Sequence, residues 1–267
     1  MAVHYARPRL ITSDDRHYRQ YVEQYLIQRQ NNRAMRPPRQ RDIFGGQVEA
    51  ALRDWLGTRY QLAETRILGY EEVRGRRSNT KYRELDAVVI EDRRTIRVFE
   101  IKASRTAASL RRATDQLRET RAILKLLYPV VHSAILLVDT GIPDAARVAE
   151  IMAAEDAPAV PPETLPAVLE ALENVRLISN PDDMGTDGAT IDVMLFSVDT
   201  IIDMVGAEHL ALDWEADDEI DTTPPTPPEP SLAYSTDEAP EADDSAATAD
   251  DDNPLAAALR KAGLSGK

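Results

Sequence analysis

The stretch RELDAVVIEDRRTIRVFEIKAS, residues 83–104, constrains the fold more than any other part of the chain. Its side chains alternate with period two on both sides of the charged turn Glu91-Asp92-Arg93-Arg94. Such alternation belongs to half-buried strands, so residues 84–90 and 95–102 read as two strands of a hairpin. In the second, Ile96, Val98, Glu100 and Lys102 fall on one face and Arg97, Phe99 and Ile101 on the other. In the first, Asp86 shares a face with Val88 and Ile90. Both acids stand where a plain strand takes an apolar or neutral residue. Pairing that sets Asp86 beside Glu100 brings two carboxylates together, and these repel unless a cation lies between them. Lys102 follows one strand step beyond Glu100 on the same face, within reach of a water or a phosphate oxygen.

The flanking segments supply layers for that hairpin. A helix is predicted over 13–30, with Ser13 or Asp14 as its cap and Tyr18, Val22, Tyr25 and Leu26 at helical spacing. Residues 31–41 form a basic connector containing proline. A second helix starts near Gly46 and stops near Gly57, with the stripe Val48, Ala51, Leu52, Trp55 and Leu56. Glu49 borders this stripe, sharing a face with Leu52 and Leu56, so its carboxylate needs a partner. Residues 66–74 read as a strand, 107–128 as a long amphipathic helix ended before Pro129, and 132–139 as a strand buried on both faces. The order helix, strand, strand, strand, helix, strand predicts an α/β layered domain. Beyond Gly141 the pattern adds helices at 144–154 and 162–173, strands at 175–179 and 191–196, and a last helix at 198–205.

Charge is divided unevenly. Residues 1–128 hold 27 Lys+Arg against 16 Asp+Glu, while residues 129–267 hold 5 against 30. The first half can therefore face a polyanion despite a net charge of −14. There is no cysteine, which excludes disulfides and thiolate metal sites. From Glu215 to Pro254 there are 14 acids and no Lys or Arg, a composition expected to be disordered. The end, NPLAAALRKAGLSGK, places Leu255, Ala258, Leu259 and Ala262 on one face of a short helix that could dock on a protein partner. No apolar run approaches the roughly 18 residues of a membrane span, and the start lacks a secretory segment, so the reading is a soluble cytoplasmic protein. The expected division is a helical, basic extension over 1–41, a catalytic domain with C-terminal α/β additions over 42–214, an acidic linker over 215–253 and an interaction helix over 254–267.

Glu49, then Leu85-Asp86, then Glu100-Ile101-Lys102, followed by a helix and a buried strand, resembles the PD-(D/E)XK nuclease superfamily, the restriction-endonuclease-like enzymes. The resemblance covers about residues 44–140. Leu85 stands where the family often has its name-giving proline. The resemblance implies an α-β-β-β-α-β core with a mixed sheet. It also implies Mg²⁺ or Mn²⁺ held by Asp86, Glu100, the Ile101 carbonyl and Glu49, with Lys102 orienting or helping to deprotonate the attacking water. Gln116 would join them from the following helix. An oxygen-rich, thiol-free donor set suits those cations, and acids plus a lysine round a metal can cleave a phosphodiester.

Arg76, Arg77, Lys81, Arg105, Arg111 and Arg112 flank this constellation and are candidate contacts to a nucleic-acid backbone. The resemblance puts DNA ahead of RNA and fits phage defence, mobile elements or repair. It leaves endonuclease and exonuclease action open, and homodimerisation too. Two other readings stand beside the nuclease: a nucleic-acid-binding subunit that does not cut, and an adaptor that recruits a partner through its acidic tail and terminal helix. His132, ahead of a buried strand, reads as structural, and Trp55 and Phe99 read as core.

Overall fold

Two sheets meet at a bend in the chain. The computed structural model describes residues 4–32, 39–75 and 77–213. The acidic linker and the terminal helix expected beyond residue 214 lie outside the described residues, as does Arg76. A three-stranded antiparallel sheet runs in the order β1 (His4–Ile11), β2 (Ile67–Arg74), β3 (Arg77–Glu84). A five-stranded mixed sheet runs β4 (Ala87–Ile90), β5 (Thr95–Ser104), β6 (Val130–Asp139), β8 (Ile191–Ser197), β7 (Val175–Ile178). Only the β4–β5 pair is antiparallel; the remaining neighbours in this sheet are parallel. Among the described residues six α-helices accompany them: α1 (Arg16–Asn32), α2 (Gln40–Gly57), α3 (Ala108–Leu124), α4 (Ala145–Ala153), α5 (Leu165–Ala171) and α6 (Val198–Val205). The protein is thus a mixed α/β fold, and among its described residues no helix is long and apolar enough to cross a membrane.

Alternation along β5 divides the core as its sequence predicts. Ile96 and Val98 join a cluster under α3 with Leu110, Ala113, Leu117, Ile135 and Leu137. Phe99 and Ile101 join the opposite cluster under α2 with Phe44, Val48, Leu52, Leu56 and Leu136. Strand β6 contributes to both clusters, which is why its apolar run is nearly continuous. Each such side chain, wholly removed from water, contributes roughly 1.5–3 kcal/mol. Helix α2 carries the expected stripe, with Phe44 added a turn earlier and Trp55 packed edge-to-face on Phe196.

Several elements differ from expectation. Helix α2 begins at Gln40 rather than near Gly46, because the Asp42 side chain accepts from the Arg39 N–H and caps it in what was read as connector. Helix α1 is capped by Asp15, whose Oδ1 accepts from the N–H groups of His17 and Tyr18, both at 3.0 Å, and not by Ser13 or Asp14. The strand read at 84–90 is shortened to Ala87–Ile90, and a strand the sequence reading lacked, Arg77–Glu84, precedes it. Residues 77–84 pair with β2 along its whole length, and only Ala87–Ile90 continue beside β5. The first residues, read as part of an extension, form β1 on the outer edge of β2. Pro8 disfavours a strand, and the register shift between Ala6 and Arg9 absorbs it, with Arg7 at φ 48°.

Candidate active site

The bend at Leu85-Asp86, where the chain leaves one sheet for the other, builds the site. Ala87 pairs with Phe99, so extending the register one step back sets Asp86 beside Glu100, the pairing that the sequence reading took as its condition. The Asp86 Oδ2 accepts from the Ile101 N–H at 2.6 Å, which ties the bend to β5. The chain also crosses to the opposite sheet here: Leu85 N–H donates to the Arg66 carbonyl at 2.9 Å, and Ala63 N–H to the Val88 carbonyl at 2.8 Å.

Glu100 is buried, with 3% of its surface exposed. Its Oε1 lies 2.6 Å from Lys102 Nζ. Burial is the largest influence on Asp86 and holds its carboxyl well above the usual carboxylate range. The Glu100 charge pushes the same way, Lys102 opposes it, and Glu49 adds to it. For Lys102, burial favours the neutral amine, but Glu100 and Asp86 outweigh it and keep the ammonium above its ordinary value. The charge of Glu49 reaches both groups from α2, although the Glu49 carboxylate is itself paired with Arg53 one turn on. Arg53 also donates from Nε to the Asp86 carbonyl oxygen at 2.8 Å.

The structure thus brings together Glu49, Asp86, Glu100, Ile101 and Lys102 from three elements. Gln116 is half-buried on α3, and its carbonyl accepts from Arg83 Nη1 at 3.2 Å. Helix α3 folds back over β5 before the parallel strand β6. Arg53 is the member that sequence reasoning missed. Its signal was available, since it follows Glu49 by four residues and so shares its helix face.

The donor set suits a hard divalent cation: it is all oxygen, and three carboxylates face two cations. Among the described residues no three acidic or imidazole side chains close round a single point; Lys102 lies on Glu100, and Arg53 on Glu49.

The expected backbone contacts differ in their surroundings. Lys81 Nζ is 2.7 Å from Glu72 Oε2, and Arg111 Nη2 is 2.6 Å from Glu163 Oε1, so both cations are already engaged. Arg77 and Arg112 are exposed, and Arg105 is exposed while making a contact of its own. A cleft of about 200 Å³ opens beside Lys81, Arg74 and Arg83, where Glu72 and Glu119 neutralise the cations. His132 is buried, with Nε2 2.9 Å from the Thr186 carbonyl and Nδ1 3.3 Å from Arg97 Nη2, away from these acids.

No family model, curated protein or solved structure matches the chain.

Proposed function

We propose that this chain is a metal-dependent nuclease of the PD-(D/E)XK type, acting on DNA ahead of RNA from the cytoplasm, with α2, β2, the continuous β3–β4 segment, β5, α3 and β6 as its restriction-endonuclease-like core. The observation that carries this reading is the placement of Asp86 opposite Glu100, with Lys102 on the Glu100 carboxylate. A buried Glu100 paired with Lys102, next to a half-buried Asp86, is costly to fold, and a chain gains from that cost when the charges do chemistry.

Asp86 and Glu100, with the Ile101 carbonyl and Glu49, would hold Mg²⁺ or Mn²⁺. Bound there, the ion supplies a Lewis acid that acidifies water and offsets charge on the scissile phosphate. Lys102 donates to the attacking water or to a phosphate oxygen and so orients it. Its Nζ, 2.6 Å from Glu100 Oε1, stands where it would orient the attacking water or help to deprotonate it. In the overall reaction the water oxygen joins phosphorus and one P–O bond to a sugar oxygen breaks. One water proton ends on that leaving oxygen, the other passes to solvent, and the phosphate remains as a monoester.

The test is cleavage by the purified full chain of linear, supercoiled and single-stranded DNA and of RNA, with Mg²⁺, Mn²⁺ or EDTA. Metal-dependent cutting by the wild type that Asp86→Asn and Lys102→Met both abolish is expected. Absence of cutting on every substrate, with binding to nucleic acid that neither substitution alters, would overturn it. That outcome would select the second reading, a nucleic-acid-binding subunit that does not cut. The pairing of Glu49 with Arg53 and Glu100 with Lys102 gives that reading its support.

A further inference from the structure

Glu49 and Asp86 reach the candidate site from different elements, α2 and the bend before β4, and nothing in either element alone fixes their separation. One side chain spans the gap. Arg53 pairs through Nη2 with the Glu49 carboxylate and donates through Nε to the Asp86 main-chain carbonyl at 2.8 Å. The guanidinium suits this task because its donors are held in one plane at fixed angles, whereas an ammonium is a single point. The partners are partly shielded, with the Arg53 side chain 27% exposed and Glu49 20%. A helix turn separates Arg53 from Glu49, so the fork is aimed by backbone geometry rather than by chance.

We infer that Arg53 is a positioning residue for the metal site, the clamp that holds Glu49 and Asp86 at a working separation. This rests on the nuclease reading above. Arg53 touches neither substrate nor reacting atoms. It acts through the two acids, as groups hydrogen-bonded to metal ligands do. Its positive charge alone would weaken a cation's hold on the site, so the clamp and a mere charge partner predict opposite changes in affinity.

The experiment is calorimetric titration of the full chain with Mn²⁺, for wild type, Arg53→Met, Arg53→Lys, Glu49→Gln, Asp86→Asn and the double variant Arg53→Met/Glu49→Gln, alongside thermal melts without metal. The expected result is a 10- to 100-fold loss of Mn²⁺ affinity in Arg53→Met, the usual range for such partners, and a smaller loss in Arg53→Lys. Glu49→Gln should cost much less in the Arg53→Met background than in wild type, because the two act as one unit. In cleavage assays the metal concentration for half-maximal rate should rise by the same factor, with the plateau rate recovering at high Mn²⁺, a recovery that a merely structural role would not show. Unchanged or tighter Mn²⁺ binding in Arg53→Met, or strictly additive losses in the double variant, would overturn the inference while leaving the site intact. Should Arg53→Met not fold, the loss in Arg53→Lys decides, and affinity equal to wild type there overturns the clamp. If the wild type shows no Mn²⁺ binding that Asp86→Asn removes, the metal site itself fails and this inference falls with it.

Discussion

The Asp86 carboxylate accepts a hydrogen bond from the Ile101 N–H at 2.6 Å, across the strand pair in which Ala87 faces Phe99. One contact thereby fastens a chain bend to the strand that carries Glu100 and Lys102. The consequences can be measured.

Burial and the Glu100 charge raise Asp86 above the ordinary carboxylate value. In the window from that ordinary value up to the raised one, the folded chain binds more protons than the unfolded chain, so stability falls as pH rises through it. Asp86→Asn removes the penalty. Its melting temperature should exceed that of wild type at pH 7–8, and the gain should vanish near pH 4. Thermal melts across this range check it, and equal melting temperatures at pH 8 would count against the buried charge.

Lys102→Met leaves buried Glu100 beside Asp86 without its ammonium. Removing one partner of a fully buried pair costs about 3–5 kcal/mol, but solvent reaches about a third of Lys102, so a loss of about 1–3 kcal/mol is expected. Adding Glu100→Gln should restore most of the stability and none of the cleavage. Denaturant titrations of the single and double variants read both.

Arg83 links β3 to α3. It is buried and donates to Thr120 Oγ1 at 2.8 Å, Glu119 Oε2 at 2.6 Å and the Gln116 carbonyl at 3.2 Å. Arg83→Met should cost about 2–4 kcal/mol by stranding these partners. Mn²⁺ affinity should stay within twofold, since Arg83 touches none of the acids of the site.

Arg77 and Arg112 are exposed, whereas Lys81 and Arg111 are held by Glu72 and Glu163. In a DNA-binding titration over salt, Arg77→Gln and Arg112→Gln should each reduce the slope of log K against log salt by about one. Lys81→Gln and Arg111→Gln should change it little. The reverse ranking would show that DNA takes these two cations from their acids.

How much of this was legible in the sequence can be argued residue by residue. Helices α2 and α3 and strands β5 and β6 follow from apolar spacing, because period 3.6 and period two are properties of the backbone and reach only a few residues. The same local rule set Glu100 and Lys102 on the α3 side of β5 and Phe99 and Ile101 on the α2 side. Strand β3 was hidden, because RSNTKYRE has no apolar alternation and only Tyr82 and Arg83 are buried. It is a strand because β2 offers it a full ladder of partners. Strand β1 was hidden by Pro8 and by its place at an edge.

The sequence by itself therefore determined which residues form most of the elements, which face each presents, and that Asp86, Glu100 and Lys102 belong to one hairpin. Only the tertiary structure decided that the chain bends at Asp86 between two sheets, that Arg53 joins Glu49 to the Asp86 carbonyl, and that Lys81 and Arg111 are already paired. The physical reason is range. Side-chain periodicity is written within a few residues, whereas a hydrogen bond or an ion pair depends on which distant segment packing brings within about 3 Å.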